Sequence, residues 1–146
     1  TMNTHDVGIE DCTVIYARAH WHHWSGGNIF NMRSAGQGEG GYTVYFRNIK
    51  VEDPRPTLQP FKLFMEALEP YDRDRKRGPG DLHGIIFENV TIAAPSVLDE
   101  PDILWGTEDA LIYGLQFYNV KIGNESIEGI DHFLHNKYVF DNKPTL

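Results

Sequence analysis

At 146 residues the chain is about the length of one domain, long enough to bury a core. A formal charge of −8 and an isoelectric point near 5.2 argue against nucleic-acid backbones and anionic membranes as partners, because both need clustered Lys and Arg. The single Cys12 excludes an intrachain disulfide framework and a cysteine zinc cluster, and no apolar run approaches the roughly 20 residues of a membrane span.

The first predicted element is "DVGIEDCTV" at 6–14, which alternates apolar and polar residues and therefore reads as a strand with one buried face. It is followed by "HWHHW" at 20–24, the densest polar and aromatic cluster of the chain. In extended backbone His20 and His22 share a face and are candidate metal ligands, although two histidines make an incomplete set. Trp21 and Trp24 offer flat apolar faces with a donor at the rim, which suits sugar stacking and equally suits covering the side of the fold. The apolar stretch "NIFNM" at 28–32 and a glycine-rich loop ending "EGGY" at 39–42, with Glu39 as a candidate acid, lead into a second long strand, "TVYFRNIKV" at 43–51.

"PFKLF" at 60–64 is the next apolar stretch, and "RDRKR" at 73–77 reads as a solvated loop because Asp72 and Asp81 flank it. A third long strand, "GIIFENVTI", covers 84–92. "DILWGTEDA" at 102–110 places Trp105 close to the acids Glu108 and Asp109, in the kind of loop where binding residues collect. The fourth long strand is "GLQFYNVKI" at 114–122, followed by the weaker apolar stretch "ESIEGI" at 125–130 and the tail "HNKYVFDNKP" at 135–144. With 14 Gly and 8 Pro punctuating the chain, no segment keeps helical periodicity for three turns.

The four long strands are copies of one pattern. Val7, Val44, Ile85 and Leu115 form one apolar column, and Ile9, Phe46, Phe87 and Phe117 a second. Asp11, Asn48, Asn89 and Asn119 form a third column, after which the alternation slips by one residue. A slipped alternation means that the strand turns a corner. Asn and Asp tolerate the left-handed conformation such a corner needs, and stacked copies would bond side chain to side chain in a ladder. The copies start 37, 41 and 30 residues apart, inside the range of stacked-repeat architectures.

The motif apolar-x-Phe-x-Asn-Val-x-Ile, with its amide at a bend, resembles the coils of right-handed parallel β-helix proteins of the pectate lyase and polygalacturonase superfamily. The similarity runs from about Val7 to Phe140, and the tail is similar to the strand that closes many such helices. The resemblance implies an all-β fold: a single-stranded right-handed parallel β-helix, or solenoid, of about four to five coils with an Asn ladder. It also implies secretion or a periplasmic location, although the chain shows no signal peptide. Residues 1–146 are expected to form one domain, with the apolar end of the first coil buried by upstream coils or by another copy of the chain.

In such a helix the outward columns of one sheet form the substrate groove, and here they contain Glu10, Arg47, Glu88 and Tyr118, then Thr13, Lys50, Thr91 and Lys121. Glu10 and Glu88, two strand steps or about 9.6 Å apart, lie near the upper limit for the carboxyls of an inverting glycosidase. Arg47 between them would grip a uronate or simply complete a Glu–Arg–Glu salt-bridge ladder, and the ladder is the favoured reading. The polygalacturonase motifs are absent, since there is no Asp-Asp pair and "RNIK" at 47–50 has one residue too many; the outward columns also lack a pectate lyase calcium cluster. Neither "WSGG" nor "APSV" forms a serine nucleophile elbow.

The resemblance, rather than these residues, implies a carbohydrate-active β-helix, a glycoside hydrolase working through two carboxylates or the C-terminal part of one. The competing reading is a non-catalytic module that binds glycan or another subunit. Candidate acids are Glu10, Glu88, Glu108 and Asp109; candidate substrate contacts are Arg47, Tyr118, Trp21, Trp24 and Trp105. No motif calls for a cofactor. Convergence of the tryptophan loops and Glu108 on the outward column would favour hydrolysis, and their dispersal would favour binding or a structural role.

Overall fold

Stacked apolar columns organise the molecule into two sheets that the chain visits alternately. The computed structural model describes residues 4–15, 28–34, 41–54, 59–65, 80–94 and 102–145. In chain order the strands are β1 (Thr4–Val14), β2 (Asn28–Ser34), β3 (Gly41–Val51), β4 (Gln59–Met65), β5 (Leu82–Ile92), β6 (Ile103–Trp105), β7 (Ile112–Tyr113), β8 (Gln116–Ile122), β9 (Glu125–Ile127), β10 (Leu134–His135) and β11 (Val139–Phe140). One sheet runs β1-β3-β5-β7-β11, with β8 also paired to β5; the other runs β10-β6-β4-β2. Every pairing within these two paths is parallel, and the fold is all-β. Among the described residues the only helical element is one 3-10 turn, Ile130–His132.

The register matches the sequence columns. Val7 pairs with Val44 and Val44 with Ile85, while Ile9, Phe46, Phe87 and Phe117 align across four strands. Cys12, Ile49, Val90 and Val120 form the next inward row, and Val14, Val51, Ile92 and Ile122 the last. Phe46, Phe87 and Phe117 stack face to face, with ring centroids 5.1 and 5.3 Å apart. Phe30 of β2 meets Phe46 and Phe87 edge-on at 4.9 and 5.2 Å, so the core is where the two sheets face each other.

Asp11, Asn48, Asn89 and Asn119 all have φ of 53–55°. Their side chains form the expected ladder: Asn48 Nδ2 donates to Asp11 Oδ1 at 2.8 Å, Asn89 to Asn48 at 3.1 Å and Asn119 to Asn89 at 3.0 Å. A second left-handed corner, not apparent from the letters, lies five residues earlier in each copy, at Asp6 (φ 54°), Thr43 (53°), Gly84 (60°) and Gly114 (65°). Each long strand is thus three short segments joined by two corners.

Thr43 is the costly member of that second series, because a β-branched residue at positive φ is strained and its side chain is exposed with little packing to offset this. Relief of about 1–2 kcal/mol of left-handed strain, less the 0.5–1 kcal/mol or so that glycine loses in chain entropy, predicts that Thr43→Gly stabilises the fold. A rise of a few degrees in Tm is the expected readout.

The sequence reading differs from the structure at "ESIEGI". Instead of joining the second sheet, β9 folds back antiparallel onto β8, with Ile122 opposite Glu125. The cause is local: Gly123 takes φ 59° at the first position of a two-residue turn completed by Asn124, the glycine placement of a type II′ hairpin. The place in the second sheet goes to β10, which pairs with β6, and the tail supplies β11 beside β7.

Candidate functional site

The outward column of the bent sheet assembles as the pattern requires. Glu10, Arg47, Glu88 and Tyr118 lie in register on β1, β3, β5 and β8. Arg47 Nε donates to Glu88 Oε2 at 2.7 Å, and its terminal nitrogen lies 3.6 Å from Glu10 Oε2. The two acids and the arginine therefore form one Glu–Arg–Glu ladder at the surface, where such pairs contribute little to stability. Glu88, by its hydrogen bond and its charge, raises the Arg47 pKa further above its ordinary value, so the guanidinium stays charged. The Arg47 guanidinium also sits 5.1 Å above the Tyr45 ring, and that ring lies over Gly8, where any Cβ would collide with it. Tyr118 is 54% exposed, and its hydroxyl donates to Gln116 Oε1 at 3.0 Å.

The other described candidates stand elsewhere. Trp105 is 46% exposed on β6, in the other sheet. Glu108 and Asp109 are exposed at the tip of the turn closed by Thr107 and Ala110, ahead of β7. Among the described residues no hydrogen bond or ion pair links either acid to the Glu–Arg–Glu ladder. Trp21, Trp24, His20, His22 and Glu39 lie outside the described residues. Within them, no group of three His, Cys, Asp or Glu is placed to hold a metal ion.

Two further arrangements were not anticipated. Directly before the first corner, His5, Tyr42, His83 and Tyr113 stack ring on ring, with centroids 4.9, 5.3 and 4.8 Å apart and planes within 7° of parallel. Lys143 lies 5.6 Å over the last ring. Burial pushes the His83 pKa down, against an upward pull from Asp81, and the nearby Lys143 charge adds to the lowering.

The second arrangement is a carboxylate–imidazole cluster. His132 Nε2 donates to Oδ2 of the buried Asp102 at 2.8 Å, and its Nδ1 donates to Glu125 Oε1 at 3.1 Å. The hydrogen bond to Asp102, outweighing burial, raises the His132 pKa. With both ring nitrogens donating, the imidazolium has no lone pair to offer as a base, and its chemistry here is to tie β9, the 3-10 turn and the start of β6 together.

The sequence did hold a signal for this cluster. The last sequence repeat is 30 residues from the one before, the interval that links Asn119 to Asn89, Leu111 to Asp81, His132 to Asp102 and Asn136 to Gly106. Adding 30 to Asp102 locates His132, whereas Glu125, seven residues before His132, lies outside that interval.

A group whose folded pKa is raised contributes stability that is complete below its unfolded value and is lost as pH rises through the folded one. The stability difference between the native chain and His132→Gln should therefore be larger at about pH 5.5 than at about pH 9, the unfolded histidine value being about 6.5. Denaturant titrations of both proteins at the two pH values check this.

Comparison with family models, with curated proteins and with solved structures finds no match to this chain.

Proposed function

We propose that the chain is a stretch of right-handed parallel β-helix whose outward face binds a neutral polysaccharide without cleaving it. Support for the coiled path is the alternation of β1 to β6 between two parallel sheets together with the four-membered Asp/Asn ladder. Parallel crossovers of this kind are almost always right-handed.

The observation that carries the binding surface is the in-register row Glu10, Arg47, Glu88 and Tyr118, flanked by Tyr45 and Gln116. It spans three strand steps, about 14 Å, and sets carboxylate acceptors and the exposed Tyr118 phenol along one line. Sugar hydroxyls donate to such carboxylates, and sugar ring faces pack on aromatic ones. A neutral chain suits the row better than a polyuronate, because its two acids outnumber its one arginine.

Hydrolysis is the weaker reading. An inverting pair needs a water between its carboxyls, and the Arg47 guanidinium fills that gap between Glu10 and Glu88. Trp105 belongs to the other sheet, and among the described residues no hydrogen bond or ion pair brings Glu108 or Asp109 to the row as a second acid.

Isothermal titration with a soluble neutral glucan and with polygalacturonate tests the proposal. Saturable binding of the glucan, weakened about tenfold by Tyr118→Ala, with no release of reducing ends, is expected. Absence of glucan binding overturns the reading. Release of reducing ends that Glu88→Gln abolishes would overturn it in favour of a hydrolase.

A further inference from the structure

Among the described residues nothing caps the core columns at β1. Val7 and Ile9 are 37% and 42% exposed, whereas Val44 and Phe46, one strand along in the same columns, are 3% and 8% exposed. Cys12 is exposed in the column that buries Ile49, Val90 and Val120. Among the described residues β1 pairs with β3 alone, so the backbone groups along the other edge of an eleven-residue strand are unpaired. Long edges of this kind are templates for strand addition.

We infer that this edge of β1 receives a parallel partner strand that is apolar in register with Val7, Ile9, Cys12 and Val14, cationic opposite Glu10, and a hydrogen-bond donor at the corner beside Asp11. The inference goes beyond glycan binding and does not depend on it.

Three observations define this occupant. First, β1 repeats the coil-on-coil interface already built by β3 on β5, so a strand with left-handed corners in register with Asp6 and Asp11 continues it without a break. Second, the ladder has a direction: each amide donates towards β1, and the series ends on Asp11, a carboxylate that accepts and cannot donate onward. Third, the outward side chains of β1 include Asp6, Glu10 and Asp11, an acidic edge that favours a cationic neighbour.

A second copy of the chain fits poorly. In a two-fold antiparallel pair, opposed residues face the same side; matching corner Asp6 to corner Asp11 would oppose inward Val7 to outward Glu10. It would also set the acidic residues of one copy against those of the other. The far end of the stack offers no match either, because its edges belong to β9, β10 and β11, which are only 3, 2 and 2 residues long.

β3 itself shows what a matching strand looks like, with Val44, Phe46, Ile49 and Val51 apolar, Arg47 at Glu10 and Asn48 at Asp11. The probe is therefore a synthetic peptide of residues 41–54 carrying one cysteine, and Cys12 of the full chain is the reporter. In a parallel pair the residue facing Cys12 lies about 4.8 Å away, within disulfide reach. With Ile49→Cys in the peptide, mixed-disulfide formation in a thiol redox buffer is expected to exceed that of a Tyr45→Cys peptide about tenfold. Ile9→Lys in the protein is expected to abolish that preference.

Equal crosslinking by the two peptides, or none, overturns the inference. So does a reversible dimer in reducing buffer that Ile9→Lys dissociates, since the edge would then belong to a second copy. Neither result bears on glucan titration, so failure here and failure of the binding proposal are separable.

Discussion

Phe87→Ala is expected to cost about 3–5 kcal/mol, a large part of the 5–15 kcal/mol or so that holds a typical domain folded. The ring is fully buried and is the central member of the Phe46–Phe87–Phe117 stack, its neighbours lying 5.1 and 5.3 Å away with planes 9° and 5° off parallel. Phe30 closes on its edge from the other sheet at 5.2 Å and 77°. Truncation therefore opens a cavity at a level where the two sheets meet, and a strand hydrogen-bonded on both sides cannot collapse into it. Phe87→Leu keeps most of the volume and should cost much less. Ile9→Ala, in the same column but 42% exposed, should cost under about 1 kcal/mol. Urea denaturation of the three variants checks the ranking, and equal costs at Phe87 and Ile9 would contradict the stacked register itself.

That register was legible because two physical facts are written directly into the letters. Side chains alternate along a strand, so a slip in the alternation marks a corner; and Asn is one of few residues other than glycine that accepts left-handed backbone, so it recurs at the corner. The first corner escaped notice because Asp6, Thr43, Gly84 and Gly114 share a backbone conformation and no side-chain chemistry. Its slip is visible only where the residue two before it is apolar, as with Leu82 ahead of Gly84 and Ile112 ahead of Gly114; Gly41 and Thr4 hide it in the other copies. The fold-back of "ESIEGI" was missed because a weak apolar stretch says nothing about direction, whereas the Gly123-Asn124 turn before it does.

The candidate site divides along the same line. Glu10, Arg47, Glu88 and Tyr118 follow from strand alternation alone, and their contacts agree with the salt-bridge ladder favoured on sequence. The place of Trp105 in the other sheet depends on the path between sheets, which local pattern does not encode. Asp102, His132 and Glu125 come from three separate stretches, before β6, in the 3-10 turn and on β9, and meet only in the folded chain.

Asn89→Ala tests the ladder separately from the core. Asn89 holds φ 53°, donates to Asn48 and accepts from Asn119. Alanine loses both side-chain bonds, at about 0.5–1.5 kcal/mol each, and occupies left-handed backbone at a cost of about 1–2 kcal/mol. The expected destabilisation is about 2–5 kcal/mol in all, measured by urea or thermal unfolding. Asn89→Gly adopts that backbone freely, so it should lose mainly the hydrogen bonds and recover about 1 kcal/mol relative to alanine. Asn119 makes one ladder bond where Asn89 makes two, so Asn119→Ala should cost about 1 kcal/mol less than Asn89→Ala. Equal losses at the two sites, with no difference between alanine and glycine, would mean that the ladder contributes nothing and that the corners are held by the Ile49, Val90 and Val120 column packed beneath them.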